Sequence, residues 1–351
     1  MASDNEQKVT PSPASGQPSA DGMAVAHQEH GKPLTLEPIV PGFDPTSVRC
    51  AAESRVRELI FKDEDLLGRL KKLRDEMDDS IREERIEMLT RGYRVDPAIT
   101  PRLSRLGTLL TEILRITLPM DMFVCCDDEL NACCSPSHTG KRLVMCLNSR
   151  LVDSLSQQEL LGIMGHEAGH ALLGHTETPN ISYKNPDFSP LEVIKLRSLS
   201  RAQEVSCDRL GVLACQDVRV AGSALFKIST GLTEKWMSFD ESAYARQAEK
   251  ISDLQELVDF QPYDETHPYS PCRVKALIAF AKSDAYAKAF GKSGAAFPAV
   301  EMEKAVEDML SAFDLSDVHK WDDAKEQKVY SVFESQSLAP KYLGSIMDFS
   351  S

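Results

Sequence analysis

No run of about eighteen consecutive apolar residues occurs in this 351-residue chain, so a transmembrane helix is not expected. Basic residues are outnumbered, 40 Lys+Arg against 54 Asp+Glu with a net charge of −14, which argues against a nucleic-acid or anionic-membrane surface. The opening Met1-Ala2-Ser3-Asp4-Asn5-Glu6 lacks a positive stretch leading into an apolar one, so no secretory signal is expected and the cytoplasm is the expected compartment. The nine cysteines contain no C-x-x-C pair, the usual zinc-ribbon spacing. The adjacent pairs Cys125-Cys126 and Cys133-Cys134 place neighbours on opposite faces of any strand, and reduced thiols packed in and around strands are the expected state. There is no internal repeat.

What is present is more pointed. His166-Glu167-Ala168-Gly169-His170 sets two imidazoles four residues apart, on one face of a helix. Such a pair can grip one divalent metal, Zn²⁺ being favoured by nitrogen ligands. The adjacent Glu167 can then act as base toward a water held by the metal. Leu160, Leu161, Ile163, Met164, Ala171 and Leu172 give the segment the apolar density of a buried helix, not that of a solvated one with incidental histidines. Ser156 and Glu159 form a capping box at its start, with Leu155 and Leu160 at the staple positions.

A catalytic zinc needs a third protein ligand and an open fourth position. Glu204 is the best candidate, on a helix expected to begin at Ser189 with Pro190 in its first turn and Glu192 closing another capping box. Asp208, four residues on, shares its face and fits a second shell, accepting a hydrogen bond from the ring N–H of a ligating histidine. The metzincin alternative requires Gly at 173 and His at 176, where the chain has Leu173 and Thr176. His175 is half a helical turn round from His166 and is read as a structural residue meeting free carbonyls near the helix end.

Leu151-Val152-Asp153 through His175, the R-x-x-E-x-x-x-D-R-x-G stretch from Arg201 to Gly211, and Thr266-His267-Pro268 with Arg273 occur in an order that resembles the HtpX-like zinc metallopeptidases. That gluzincin group also contains the CAAX prenyl proteases, and the likeness covers roughly residues 98–282. The resemblance implies metal ligation by His166, His170 and Glu204, catalysis by Glu167, and a second-shell Asp208. It implies a substrate-pairing edge strand at Asn131-Ala132. It also motivates His267 or Arg273 as donors to the developing oxyanion, with His267 alternatively filling the open metal position. Many relatives are membrane-embedded, whereas this chain is expected to carry no integral membrane segment, and Cys207 stands where alanine is usual.

The expected fold is α+β and mainly α-helical: a zincin-like domain with a small antiparallel sheet and flanking helices. Its divisions are a Pro-rich disordered tail at 1–45, a helical N-terminal segment at 46–97, the metallopeptidase domain at 98–290 and a helical C-terminal segment at 291–351. Leu66, Leu70, Leu73, Met77 and Ile81 read as one packed face of a helix over 47–91, a partner-binding coiled coil being the alternative. Another helix starts at Thr100-Pro101, and strands at 122–126 and 143–147 flank the turn signals at Pro136 and Gly140. Further helices are expected over Ala221–Ile228, Tyr244–Leu257, 271–290 and about 300–334. The expected function is zinc-dependent endopeptidase action on protein or peptide substrates, with one zinc per chain and Glu167 activating the water. A latent enzyme, or a zinc-binding interaction protein without proteolysis, is the alternative. No nucleic-acid partner is expected, and the oligomeric state is left open.

Overall fold

The structure is a computed structural model that describes residue 34 and residues 36–137, 140–179, 181, 185–251, 266–295 and 297–310. The chain divides into two units, Met1–Thr35 and Leu36–Ser351, and all that follows concerns the second. Ser156 and Ser189 each cap a helix as the sequence predicts, and those two helices build the centre of the molecule. Helices α1 (Ala51–Phe61), α2 (Glu64–Arg91) and α3 (Pro101–Ile113) precede most of the sheet. Helices α4 (Ser149–Ser154), α5 (Gln157–Leu172), α6 (Pro190–Cys215), α7 (Val218–Thr230) and α8 (Glu241–Ala245) follow it. The described part ends with α9 (Ser270–Ala281), α10 (Asp284–Ala289) and α11 (Ala299–Leu310).

The strands are β1 (Gly92–Arg94), β2 (Met120–Cys125), β3 (Ala132–Pro136) and β4 (Leu143–Asn148), in spatial order β1-β2-β4-β3. β1–β2 and β3–β4 are antiparallel, but β2 and β4 run parallel, so the sheet is mixed and not wholly antiparallel. The β3–β4 hairpin sets β4 beside β2 and leaves β3 at the edge, an outcome that strand periodicity does not encode. β3 lies against α5.

Three glycines on one stripe of α5 let it approach α6 closely. A Cβ on Gly165 would sit 2.5 Å from Ala214 Cβ, and one on Gly169 would sit 3.2 Å from Cys207 Cα. From the other side, a Cβ on Gly211 would lie 2.7 Å from the Gly162 carbonyl oxygen. The glycine inside the HEAGH pentapeptide is therefore a contact surface for the helix that carries Glu204 and Asp208. The capping box of α5 is complete, and its Glu159 is held from α7 by Lys227 Nζ at 2.7 Å and by the Ser223 hydroxyl at 2.6 Å. Lys227 is 1% exposed, so this carboxylate also neutralises a buried ammonium.

The flanking segments fold onto α6. The single helix expected over 47–91 is broken at Asp63, whose carboxylate caps α2 by accepting from Leu66 N–H at 3.0 Å. Leu66 and Leu70 then pack with Val56, Ile60, Val193, Ile194 and Leu199, which places this part of the stripe in the core. The side chains of Met77 and Ile81 lie outside the described residues. Residues 36–45, expected to belong to the disordered tail, fold with the rest of the second unit. Ile39 is buried, and its N–H donates to the Ile113 carbonyl at 3.0 Å, because an apolar side chain among the prolines finds a place in the core. Arg209 joins both flanks, donating to the Val48 carbonyl at 3.1 Å and pairing with Glu303 of α11 at 2.6 Å. The end of the expected helix over Tyr244–Leu257, from residue 252 on, and the C-terminal segment past Leu310, including His319 and Trp321, lie outside the described residues.

Candidate metal centre

α5 runs on through the HEAGH residues to Leu172, so His166 and His170 stack one turn apart, their rings 5.1 Å apart centroid to centroid. α6 crosses over that face and brings Glu204 between them. His166 Nε2 and His170 Nε2 are 3.3 Å apart. His166 Nε2 lies 3.3 Å from Glu204 Oε2, and His170 Nε2 lies 3.4 Å from Glu204 Oε1. Ligand bonds of about 2.0–2.1 Å in a tetrahedron put ligand atoms about 3.3–3.4 Å apart, so the three side chains are spaced as a zinc-sized ion would hold them. Glu204 Oε2 is buried and makes no hydrogen bond, which leaves a lone pair that an ion satisfies. The residues present therefore fit the metal implied by the histidine pair.

The electrostatics follow from burial and close charges. Burial opposes a charge on His166, but the carboxylates of Glu204 and Asp208 overcome it and push the imidazole up to about 10. Burial works against ionised Glu204 as well, yet His267 and His166 hold its carboxyl well below the ordinary range. Glu167 goes the other way: burial raises it, with His166 and His170 opposing. A carboxylate of raised pKa, 4.0 Å from His166 Nε2, suits a proton acceptor working near neutral pH.

Asp208 accepts from His166 Nδ1 at 2.9 Å. Arg273, on α9, grips Asp208 through Nε at 2.8 Å and Nη2 at 2.7 Å, and lies 3.3 Å from Glu204 Oε2. Its fork is thus turned onto two carboxylates. Arg273, expected as an oxyanion donor, has its buried guanidinium set against Asp208 and beside Glu204. His267 sits in the loop before α9, its Nε2 3.5 Å from Glu204 Oε1 and its Nδ1 2.8 Å from the Thr266 hydroxyl. It remains outside the group formed by His166, His170 and Glu204, whose ligand atoms all lie within 4.8 Å of one another. Asn131 and Ala132 lie at the start of edge strand β3, with the Ala132 N–H donating to Asn131 Oδ1 at 2.8 Å. Further along that strand, buried Cys134 is near enough to feel the charge of Glu167.

Two residues at this centre escape sequence reasoning. His175 does not meet helix-end carbonyls. Gly174, at φ +69°, turns the chain back after α5, and His175 Nδ1 comes within 3.1 Å of His170 Nδ1. Glycine as the left-handed stop of a helix is a readable signal, and here it invalidates the helical phase used for His175. Glu53, from α1, meets the far side of His175, with Oε1 3.1 Å from Nε2. Nothing in the local sequence of α1 marks it.

A helix-borne pair of histidines, a carboxylate from a second helix and an adjacent glutamate define the metallopeptidase centres of the zincin class. The model of Peptidase family M48 matches residues 100–185 and 186–281, and the chain belongs to that family. The chain is also similar to the plastoglobule-localized metallopeptidase 48, chloroplastic, of Arabidopsis thaliana, at 32% identity over 162 residues. That match covers 42% of this chain and 46% of the relative, so the chain spans about half the length of the curated relative it matches. No solved structure matches the chain. Among the described residues, no helix is long and apolar enough to cross a membrane.

Proposed function

We propose that this chain is a zinc-dependent metalloendopeptidase acting on protein or peptide substrates, with His166, His170 and Glu204 as the ligands of one zinc. The observation that carries the reading is the spacing of their polar atoms: the two imidazole Nε2 atoms lie 3.3 Å apart, and each lies 3.3–3.4 Å from one Glu204 oxygen, Oε2 for His166 and Oε1 for His170. Zinc at such a centre polarises a carbonyl and lowers the pKa of water. Glu167 takes the proton from the attacking water and passes it to the leaving amine. Its burial, which raises its pKa, favours its taking that proton. Asp208 orients His166, and Arg273 holds Asp208 ionised. His267, beside Glu204 and partly open to solvent, is positioned to donate to negative charge developing near the ion. β3, including Ala132, offers an edge along which an extended substrate can pair through its backbone. Nine free cysteines support a reducing compartment, the cytoplasm in our reading.

The test is digestion of an unfolded protein by zinc-loaded wild type and Glu167→Gln, with zinc content measured on both. The substitution is expected to keep zinc and to lower turnover by about 10²–10⁴-fold. Undiminished proteolysis by that variant excludes Glu167 as the base.

A further inference from the structure

Glu53 carries a carboxylate with 0% exposure on α1, well before the family match begins at residue 100. A buried carboxylate is costly unless its oxygens are met. Arg49, one turn earlier, pairs with Oε1, and the Ser206 hydroxyl donates to Oε2 at 2.5 Å. The third partner is His175 Nε2. His175 is 5% exposed, and its ring stands edge-on to that of His170, 5.1 Å away at 76°.

The proton pattern has one consistent solution. His170 turns Nε2 toward His166 and Glu204, so Nδ1 carries its hydrogen. That Nδ1 faces His175 Nδ1 at 3.1 Å, and two donors cannot face one another. His175 therefore accepts at Nδ1 and holds its own hydrogen on Nε2, where the Glu53 carboxylate accepts it at 3.1 Å. Cys207 Sγ also lies 3.4 Å from His175 Nδ1. Burial keeps that thiol protonated, so it adds at most a weak donor to the same lone pair.

We propose that Glu53 and His175 form a positioning relay for His170, a carboxylate–imidazole–imidazole chain that fixes the tautomer and orientation of the second metal-binding histidine. The relay makes α1, outside the family-matched residues, part of the metal centre. It rests on the reading of His170 as a ligand. The relay orients His170 toward the ion as Asp208 orients His166.

The zinc-loaded full-length chain with ¹⁵N-labelled histidine tests the pattern directly. His175 is expected as the neutral ring with its hydrogen on Nε2; a hydrogen on Nδ1 overturns the relay. Chelator competition provides the second readout. Glu53→Gln is expected to weaken zinc binding about tenfold, and His175→Phe at least as much. Glu192→Gln, which loosens the start of α6 far from the ring nitrogens, is expected to leave affinity unchanged and so separates lost stability from lost positioning. Wild type that binds one zinc, with Glu53→Gln and His175→Phe binding as tightly, rejects the relay and leaves the metallopeptidase reading intact. Wild type that binds no zinc through His170 rejects both.

Discussion

The two histidines of the HEAGH segment are supported by different routes. His166 leans directly on Asp208, which sits one turn from Glu204 on the same helix and is locked by Arg273. His170 reaches its carboxylate only through His175, and that carboxylate is Glu53 on α1, locked by Arg49 and Ser206. The chemistry is the same at both ends: an acceptor on the far nitrogen leaves Nε2 bare. The origin differs. One support comes from the helix that already supplies a ligand; the other comes from a segment more than a hundred residues upstream, joined only by packing. A metal centre of this kind thus contains a part that travels with its motif and a part that depends on what is docked behind it.

Several substitutions break or sharpen this contrast. The largest effect is expected from Glu204→Ala, which removes the carboxylate shared by both imidazoles; zinc content should fall from one per chain toward zero by elemental analysis. Asp208→Asn is expected next, weakening zinc binding about 10–100-fold by chelator competition while the chain stays folded. The predicted order, Asp208→Asn above Glu53→Gln, follows from direct against relayed contact, and equal losses remove the distinction. The double variant sharpens it further. Asp208 is held by Arg273 and Glu53 by Arg49 and Ser206, so their effects should add to within about 0.5 kcal/mol; a larger discrepancy shows that the two supports are coupled.

The smallest effect concerns stability alone. Glu192 caps α6 through Ser189 and is gripped by Arg69 of α2, whose hydrogen bond is the main reason that its carboxyl is pulled down to about 2. Its folded-state pKa lies below the unfolded value, so its contribution is present above about pH 4.5 and is lost as pH falls through about 2. Glu192→Gln is expected to cost about 1 kcal/mol at neutral pH and to flatten the acid limb of thermal stability measured from pH 6 to 2.

Much of the centre was legible because it is built from short-range rules. Two Ser-x-x-Glu boxes mark the starts of α5 and α6, and both appear in the structure. The four-residue spacings place His166 with His170, and Glu204 with Asp208, by helical geometry alone. Where helix ended, the rule failed: phase counting put His175 on the wrong side because Gly174 had already turned the chain. Arg273 was singled out as a functional residue, but its pairing with Asp208 was not foreseen, since a guanidinium in a helix says nothing about which carboxylate packs against it. The parallel pairing of β2 with β4 was missed for a similar reason. Alternation reports which face of a strand is buried, not which strand lies beside it.

The sequence by itself determined the residue types, their spacing along α5 and α6, and hence a pair of imidazoles, a carboxylate and an adjacent acid suited to one divalent ion. Only the tertiary structure decided that the two helices meet with each imidazole Nε2 3.3–3.4 Å from a Glu204 oxygen, through glycines that allow the approach. It alone decided that Glu53 stands behind His170. Helical periodicity fixes neighbours within a few residues, whereas contacts across more than a hundred residues depend on which apolar faces bury one another.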